Sequence, residues 1–150
     1  RGDAGAGHDS SAAAAPAGSV SLVRFHGHGS PGGAGIGAGT WGFGDHGNIV
    51  GPGRIADTAR LFRRLRHLFS PYGCIQFMHC STGRGPQGTA VLKAVADATG
   101  VPATAAVNDQ LGGGSTTFRF EGPTKTAVPG GGDIKSWASR LPPLYGRSFA

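Results

Sequence analysis

The chain has 150 residues and a mass of 15.1 kDa, enough for one compact core and too short for two. Glycine supplies 29 residues and proline 10, but they follow no collagen period and cluster between apolar runs such as SLVRF, GCIQFM and AVLKAV, which excludes a fibrous or wholly disordered chain. Fourteen Lys and Arg against eight Asp and Glu give a net charge of +6, yet the aromatics do not interleave with the basic residues as a single-strand nucleic-acid platform needs, and no apolar run reaches the roughly 18 residues of a membrane span.

Residues 1–18, RGDAGAGHDSSAAAAPAG, are small, polar and aperiodic, and read as a flexible Gly/Ala-rich tail before a single domain over 19–150. The start at Arg1 rather than methionine reads as a processed form or a fragment. Residues 20–25 form a first strand bounded by glycines. A long glycine-rich loop follows, HGHGSPGGAGIGAGTWGFGDHGN. Over 54–69 the apolar positions Ile55, Leu61, Phe62, Leu65, Leu68 and Phe69 keep helical spacing with arginines opposite, and Ser70-Pro71-Tyr72-Gly73 ends that helix.

The run 74–79 predicts a second, largely apolar strand of the buried parallel type. Its flanking thiols, Cys74 and Cys80, then lie about 20 Å apart and cannot bridge. A turn, STGRGPQG, leads into a helix from about 89 to 99 that Gly100 closes, and 101–107 is a third strand. Residues 116–121 and 125–128 read as a C-terminal β-hairpin around Gly122-Pro123-Thr124, and 133–140 as a last short helix. This order predicts an α/β fold with a mainly parallel sheet.

In parallel sheets, reactive groups gather beyond the carboxyl ends of the strands. Those ends carry His26-Gly27-His28-Gly29, then His79-Cys80-Ser81-Thr82-Gly83, then Asn108-Asp109-Gln110. A right-handed crossover sets the first two side by side, bringing His28 and Cys80 to one rim. A thiol and an imidazole there are the minimum for nucleophilic catalysis. The turn amides and helix N-terminus after Cys80 favour a thiolate, and the N–H groups of Gly29 and Cys80 are the candidate oxyanion hole.

His26-Gly27-His28-Gly29-Ser30-Pro31-Gly32 and Met78-His79-Cys80-Ser81-Thr82-Gly83 resemble the S/G-H-G signature and the strand-end cysteine of the caspase-like cysteine peptidases. The pattern is most similar to a caspase-like domain of large bacterial surface and repeat-containing proteins, which adds a T-G-x-x-V-A-A element seen here as Thr99-Gly100-Val101-Pro102-Ala103-Thr104-Ala105-Ala106. The resemblance covers roughly 20–110. It implies a three-layer α/β sandwich and a peptidase, autoprocessing included, with Cys80 as nucleophile and His28 as general acid/base. It further implies a peptide or protein substrate, no cofactor, and a secreted or cell-surface setting. His79 departs from the family, which has small or acidic residues before the nucleophile. From charge alone, Asp45 or Asp109 would favour a basic P1 residue; Trp41 and Phe43 in the glycine loop would either line the substrate cleft or anchor that loop to the core.

Two other readings compete. A catalytically inactive member of the same fold would be a self-assembling structural or adhesive module. Alternatively, His26, His28, His46, His79 and Cys80 would hold zinc or copper, although the H-x-H spacing lacks a carboxylate or a second well-placed cysteine. His79 itself reads as a packed or hydrogen-bonded rim residue. The Gly-x-Gly patterns match neither the Rossmann fingerprint nor the P-loop, so no nucleotide cofactor is expected.

Overall fold

A computed structural model describes residues 15–36, 49–111 and 119–143. The central sheet has four strands, β1 (Val20–Phe25), β5 (Phe69–Phe77), β6 (Ala103–Ala106) and β7 (Thr124–Ala127), in that spatial order. The first three are parallel and β7 is antiparallel to β6. A second, antiparallel sheet comprises β2 (Gly29–Ser30), β3 (Gly33–Gly35) and β4 (Ile49–Val50). Among the described residues there are three α-helices, α1 (Ile55–Arg63), α2 (Gly85–Thr99) and α3 (Ile134–Ser139). The α/β class and its mostly parallel sheet agree with the sequence reading.

The two crossovers, β1–α1–β5 and β5–α2–β6, step the same way along the sheet, so right-handed connections set α1 and α2 on one face. Strand alternation supplies that face with Ile75, Phe77, Ala103 and Ala105, and the helices cover it with Phe62, Val91, Leu92 and Val95, all fully buried. Phe25, Phe62 and Phe77 meet with ring centroids 5.7 to 5.8 Å apart. The alanines of β6 are a consequence of α2 lying close to the sheet. On the other face, Tyr72, Cys74, Thr104 and Thr126 look toward α3, giving three layers. Before β1, Ala15 packs against the core and Gly18 N–H donates to the His67 carbonyl at 2.9 Å.

Four expectations need correction. The helix predicted over 54–69 stops at Arg63; a turn and a single 3₁₀ turn, Arg66–Leu68, carry the chain to Phe69, which already belongs to β5. Leu65 and Leu68 are still buried, because residues three apart share a face of a 3₁₀ turn as they do of an α-helix, so apolar spacing cannot tell the two apart. Ser70-Pro71-Tyr72-Gly73 is not a terminator but a bulge within β5: β1 advances two residues from Val20 to Leu22 while β5 advances five from Phe69 to Cys74. A bulge is where a strand accommodates proline.

The helix expected from about 89 begins at Gly85, since Pro86 falls in the first turn, where its missing N–H costs nothing. The predicted hairpin of 116–121 with 125–128 is replaced by a pairing of β7 with β6, from Ala103↔Ala127 to Ala106↔Thr124. Residues 116–118 lie outside the described residues, and Phe120 and Glu121 belong to no strand. The small side chains of β6 present an edge that β7 fits, with Thr104 and Thr126 hydroxyls 2.6 Å apart.

Candidate functional site

The carboxyl ends of β1, β5 and β6 form one rim, and the chain leaves it through three segments that interlock. The first is the start of the glycine-rich loop. Ser30-Pro31-Gly32-Gly33 forms a tight turn between β2 and β3, with Gly32 in the left-handed region at φ 71°, which the second central residue of a type II turn requires. This hairpin lies across the segment after β5: Gly32 N–H donates to the Thr82 carbonyl at 2.9 Å, and Thr82 Oγ1 donates to the Gly33 carbonyl at 2.8 Å. A side chain at Gly29 would overlap the Cys80 carbonyl and stand within 2.7 Å of Thr82 Oγ1. Glycine is therefore needed there for close backbone approach.

That contact fixes the relation between the two candidate catalytic residues. Phe25 pairs with Phe77, and Met78 N–H donates to the Phe25 carbonyl at 2.8 Å, so the strands stay aligned until they leave the sheet. His28, exposed, then stands on the β1 side of the rim and Cys80, half-buried, on the β5 side, joined through Gly29. The thiol does not bond to an imidazole among the described residues; it donates to the Gln110 carbonyl at 3.2 Å and accepts from Gln110 N–H at 3.1 Å.

The expected oxyanion donors are available. The 2.9 Å bond from Gly35 N–H to the His28 carbonyl makes Gly29↔Ala34 the wide type of antiparallel pair, in which Gly29 N–H points away from β3. Cys80 N–H meets no backbone acceptor among the described residues. Directly after it, Ser81 is held at φ 55°, a conformation unfavourable for a residue with a Cβ and common near functional sites. Its Oγ donates to Asp109 Oδ1 at 2.5 Å and its N–H to the Asn108 carbonyl at 3.0 Å. The turn closes through Arg84 N–H to the Ser81 carbonyl at 2.9 Å and Gly83 N–H to the Ala106 carbonyl at 2.8 Å.

Beneath the rim sits His79, fully buried. Its Nε2 is 2.7 Å from the Gly35 carbonyl oxygen, which only accepts, so Nε2 carries the proton. Nδ1 is then a bare acceptor with no partner. Burial lowers the imidazole pKa to about 4; the Gly35 bond opposes this, and nearby His26 and His28 add to it. His79 is thus neutral at pH 7 and ties the glycine hairpin to β5.

The thiols are both free. Cys74, half-buried, lies inside β5 opposite Leu22 and not at the strand's start as the run 74–79 implied, because β5 begins at Phe69; its pKa is raised by burial, partly offset by Arg24. Of the other expected site residues, Asp109 is on the rim, but with one carboxylate oxygen engaged by Ser81. Trp41, Phe43, Asp45 and His46 lie outside the described residues. Among the described residues, no three His, Cys, Asp or Glu side chains converge as a metal site would require. Sequence reasoning placed Ser81 and Gln110 at the strand ends but gave neither a role: a serine after a strand-end cysteine carries no sign of its dihedral, and Gln110 reaches Cys80 only through the tertiary fold.

Compared with known proteins, the chain matches no family model, no curated protein and no solved structure. Among the described residues no helix is long and apolar enough to cross a membrane.

Proposed function

We propose that the domain is a caspase-like cysteine peptidase, acting on peptide bonds with Cys80 as nucleophile and His28 as general acid/base. The observation that carries this reading is the seating of Gly29 against the Cys80 carbonyl, which sets a histidine and a cysteine on neighbouring strand ends of one rim. In the reaction, His28 takes the thiol proton and the Cys80 sulfur attacks the substrate carbonyl carbon. The N–H groups of Gly29 and Cys80 receive the oxyanion. The imidazolium returns its proton to the leaving amine, and water, deprotonated by His28, then releases the acyl group and restores the thiol. A secreted or cell-surface setting, and cleavage of the parent chain, belong to the same proposal.

The test is cleavage of a peptide panel and of a longer precursor by the parent chain, Cys80→Ala and His28→Ala. Cleavage by the parent that both substitutions abolish, with circular dichroism unchanged, supports the reading. Equal cleavage in all three removes it.

A second reading, a self-assembling module, is favoured by the outer sheet face. There a groove of about 270 Å³ runs between the sheet and α3, lined by Tyr72, Cys74, Pro102, Ile134, Trp137 and Leu141, and Ile134 is 49% exposed. It predicts a molar mass that rises with concentration in light scattering; a monomer throughout would exclude it.

A further inference from the structure

Residues 108–111, which follow β6, cover the sulfur of Cys80. The two contacts that Gln110 makes to it, N–H to Sγ at 3.1 Å and Sγ to carbonyl at 3.2 Å, place one residue's backbone on both the acceptor and the donor side of the thiol. The oxygen of Gln110 faces the thiol as a hydrogen-bond acceptor, so this peptide is a cover and not a scissile bond poised for attack.

The Gln110 side chain makes most of the bonds that fasten the cover. Gln110 Oε1 accepts from Glu121 N–H at 2.7 Å while its Nε2 donates to the Glu121 carbonyl at 2.9 Å, a side-chain imitation of one antiparallel rung. The same Nε2 donates to the carbonyls of Asn108 and Asp109, each at 3.1 Å, curling the segment on itself. Glu121 Oε2 adds an acceptor for Leu111 N–H at 2.7 Å. Upstream, Asp109 and Asn108 are anchored to Ser81. Leu111, just beyond the latch, is 91% exposed, so no apolar packing of its own holds it.

We propose that residues 108–111 are an autoinhibitory strap over Cys80, latched by the Gln110–Glu121 pairing, which a peptide substrate must displace. The proposal rests on the reading of Cys80 as the nucleophile. A reacting acyl carbon must come within about 3 to 3.5 Å of the sulfur, and on this side Gln110 already occupies that distance. Because the latch bonds run through Gln110 and Glu121 and involve little buried apolar surface, the strap can release without unfolding the sheet.

The experiment is alkylation of the whole chain by iodoacetamide at pH 7.5, with Cys80 and Cys74 quantified separately by mass spectrometry. It is run on the parent, Gln110→Ala and Glu121→Ala. Gln110→Ala removes two latch bonds, worth about tenfold or more in the closed-to-open equilibrium, and is expected to raise Cys80 labelling by that factor with Cys74 unchanged. Glu121→Ala keeps the backbone partners of Gln110 and removes the Leu111 anchor, so its increase is smaller. A parent Cys80 that labels as fast as in urea, or a Cys80 rate unmoved in both variants, overturns the proposal. Should Gln110→Ala also expose Cys74, it has lost the fold, and Glu121→Ala decides. Peptide cleavage is followed in parallel: faster labelling with no cleavage by any form leaves the strap standing and removes the peptidase reading.

Discussion

Acidification should weaken the fold through His79 well before the carboxylates titrate. The imidazole is fully buried, its Nε2–H is committed to Gly35, and a second proton would place an N–H on Nδ1 with no acceptor to receive it. The folded pKa of about 4 lies below the ordinary 6.5, so the unfolded chain binds the proton first. The native state is therefore at full advantage above 6.5 and loses it as pH falls toward 4. With those two values, linkage gives a loss of about 2 kcal/mol between pH 7 and pH 5 and about 3 kcal/mol by pH 4. The assay is urea unfolding at pH 7, 6 and 5 for the parent and His79→Gln, which has a side chain of similar reach that does not titrate. The parent should lose about 2 kcal/mol more than the variant over that range. A parallel NMR titration should place the His79 midpoint near 4. Identical slopes for the two proteins, or a midpoint at 6 or above, would refute the buried, unpartnered Nδ1 as the cause.

Other outcomes follow from backbone contacts and the core. Gly29→Ala drives a methyl into the Cys80 carbonyl and the Cβ of His79, and should cost about 2 kcal/mol in chemical denaturation. Gly53→Ala, with nothing within 4 Å of the added carbon, is its control and should be neutral or up to about 1 kcal/mol stabilising. At Ser81, alanine removes the hydroxyl that donates to Asp109 and keeps the left-handed strain, whereas glycine relieves the strain. Ser81→Gly should thus be about 1 kcal/mol more stable than Ser81→Ala by thermal unfolding, and the opposite order would show that φ is not the constraint. Phe62→Ala, which empties the meeting point of Phe25 and Phe77, should cost about 3 to 5 kcal/mol; a loss below about 1 would mean α1 does not seal this face.

Much of the fold was legible from local pattern. The first strand lies where glycine bounds and apolar runs place it, Gly100 closes α2 in the left-handed conformation, and Asp133 caps α3 through Ser136 N–H. Periodicity failed where two geometries share a spacing, as at Leu65 and Leu68, and where proline has two uses, closing a helix or sitting in a bulge, as at Pro71. The hairpin reading failed because a strand's partner is a matter of which edge is open, and β6 offered one. Of the candidate site, the positional rule for parallel sheets supplied a short list of strand-end residues that includes His28, Gly29 and Cys80, and the family resemblance narrowed it.

By itself, then, the sequence determined the class of fold, the order of its parallel strands and the residues delivered to their carboxyl rim, because those depend on side-chain period and on the handedness of short connections. Only the tertiary structure decided what each rim residue meets. Gln110 lies 30 positions from Cys80 and Gly35 lies 44 from His79, and bonds across such separations form once the packed sheet brings the segments together. The protonation of His79 and the covering of the Cys80 thiol depend on those long-range contacts, and no local pattern encodes them.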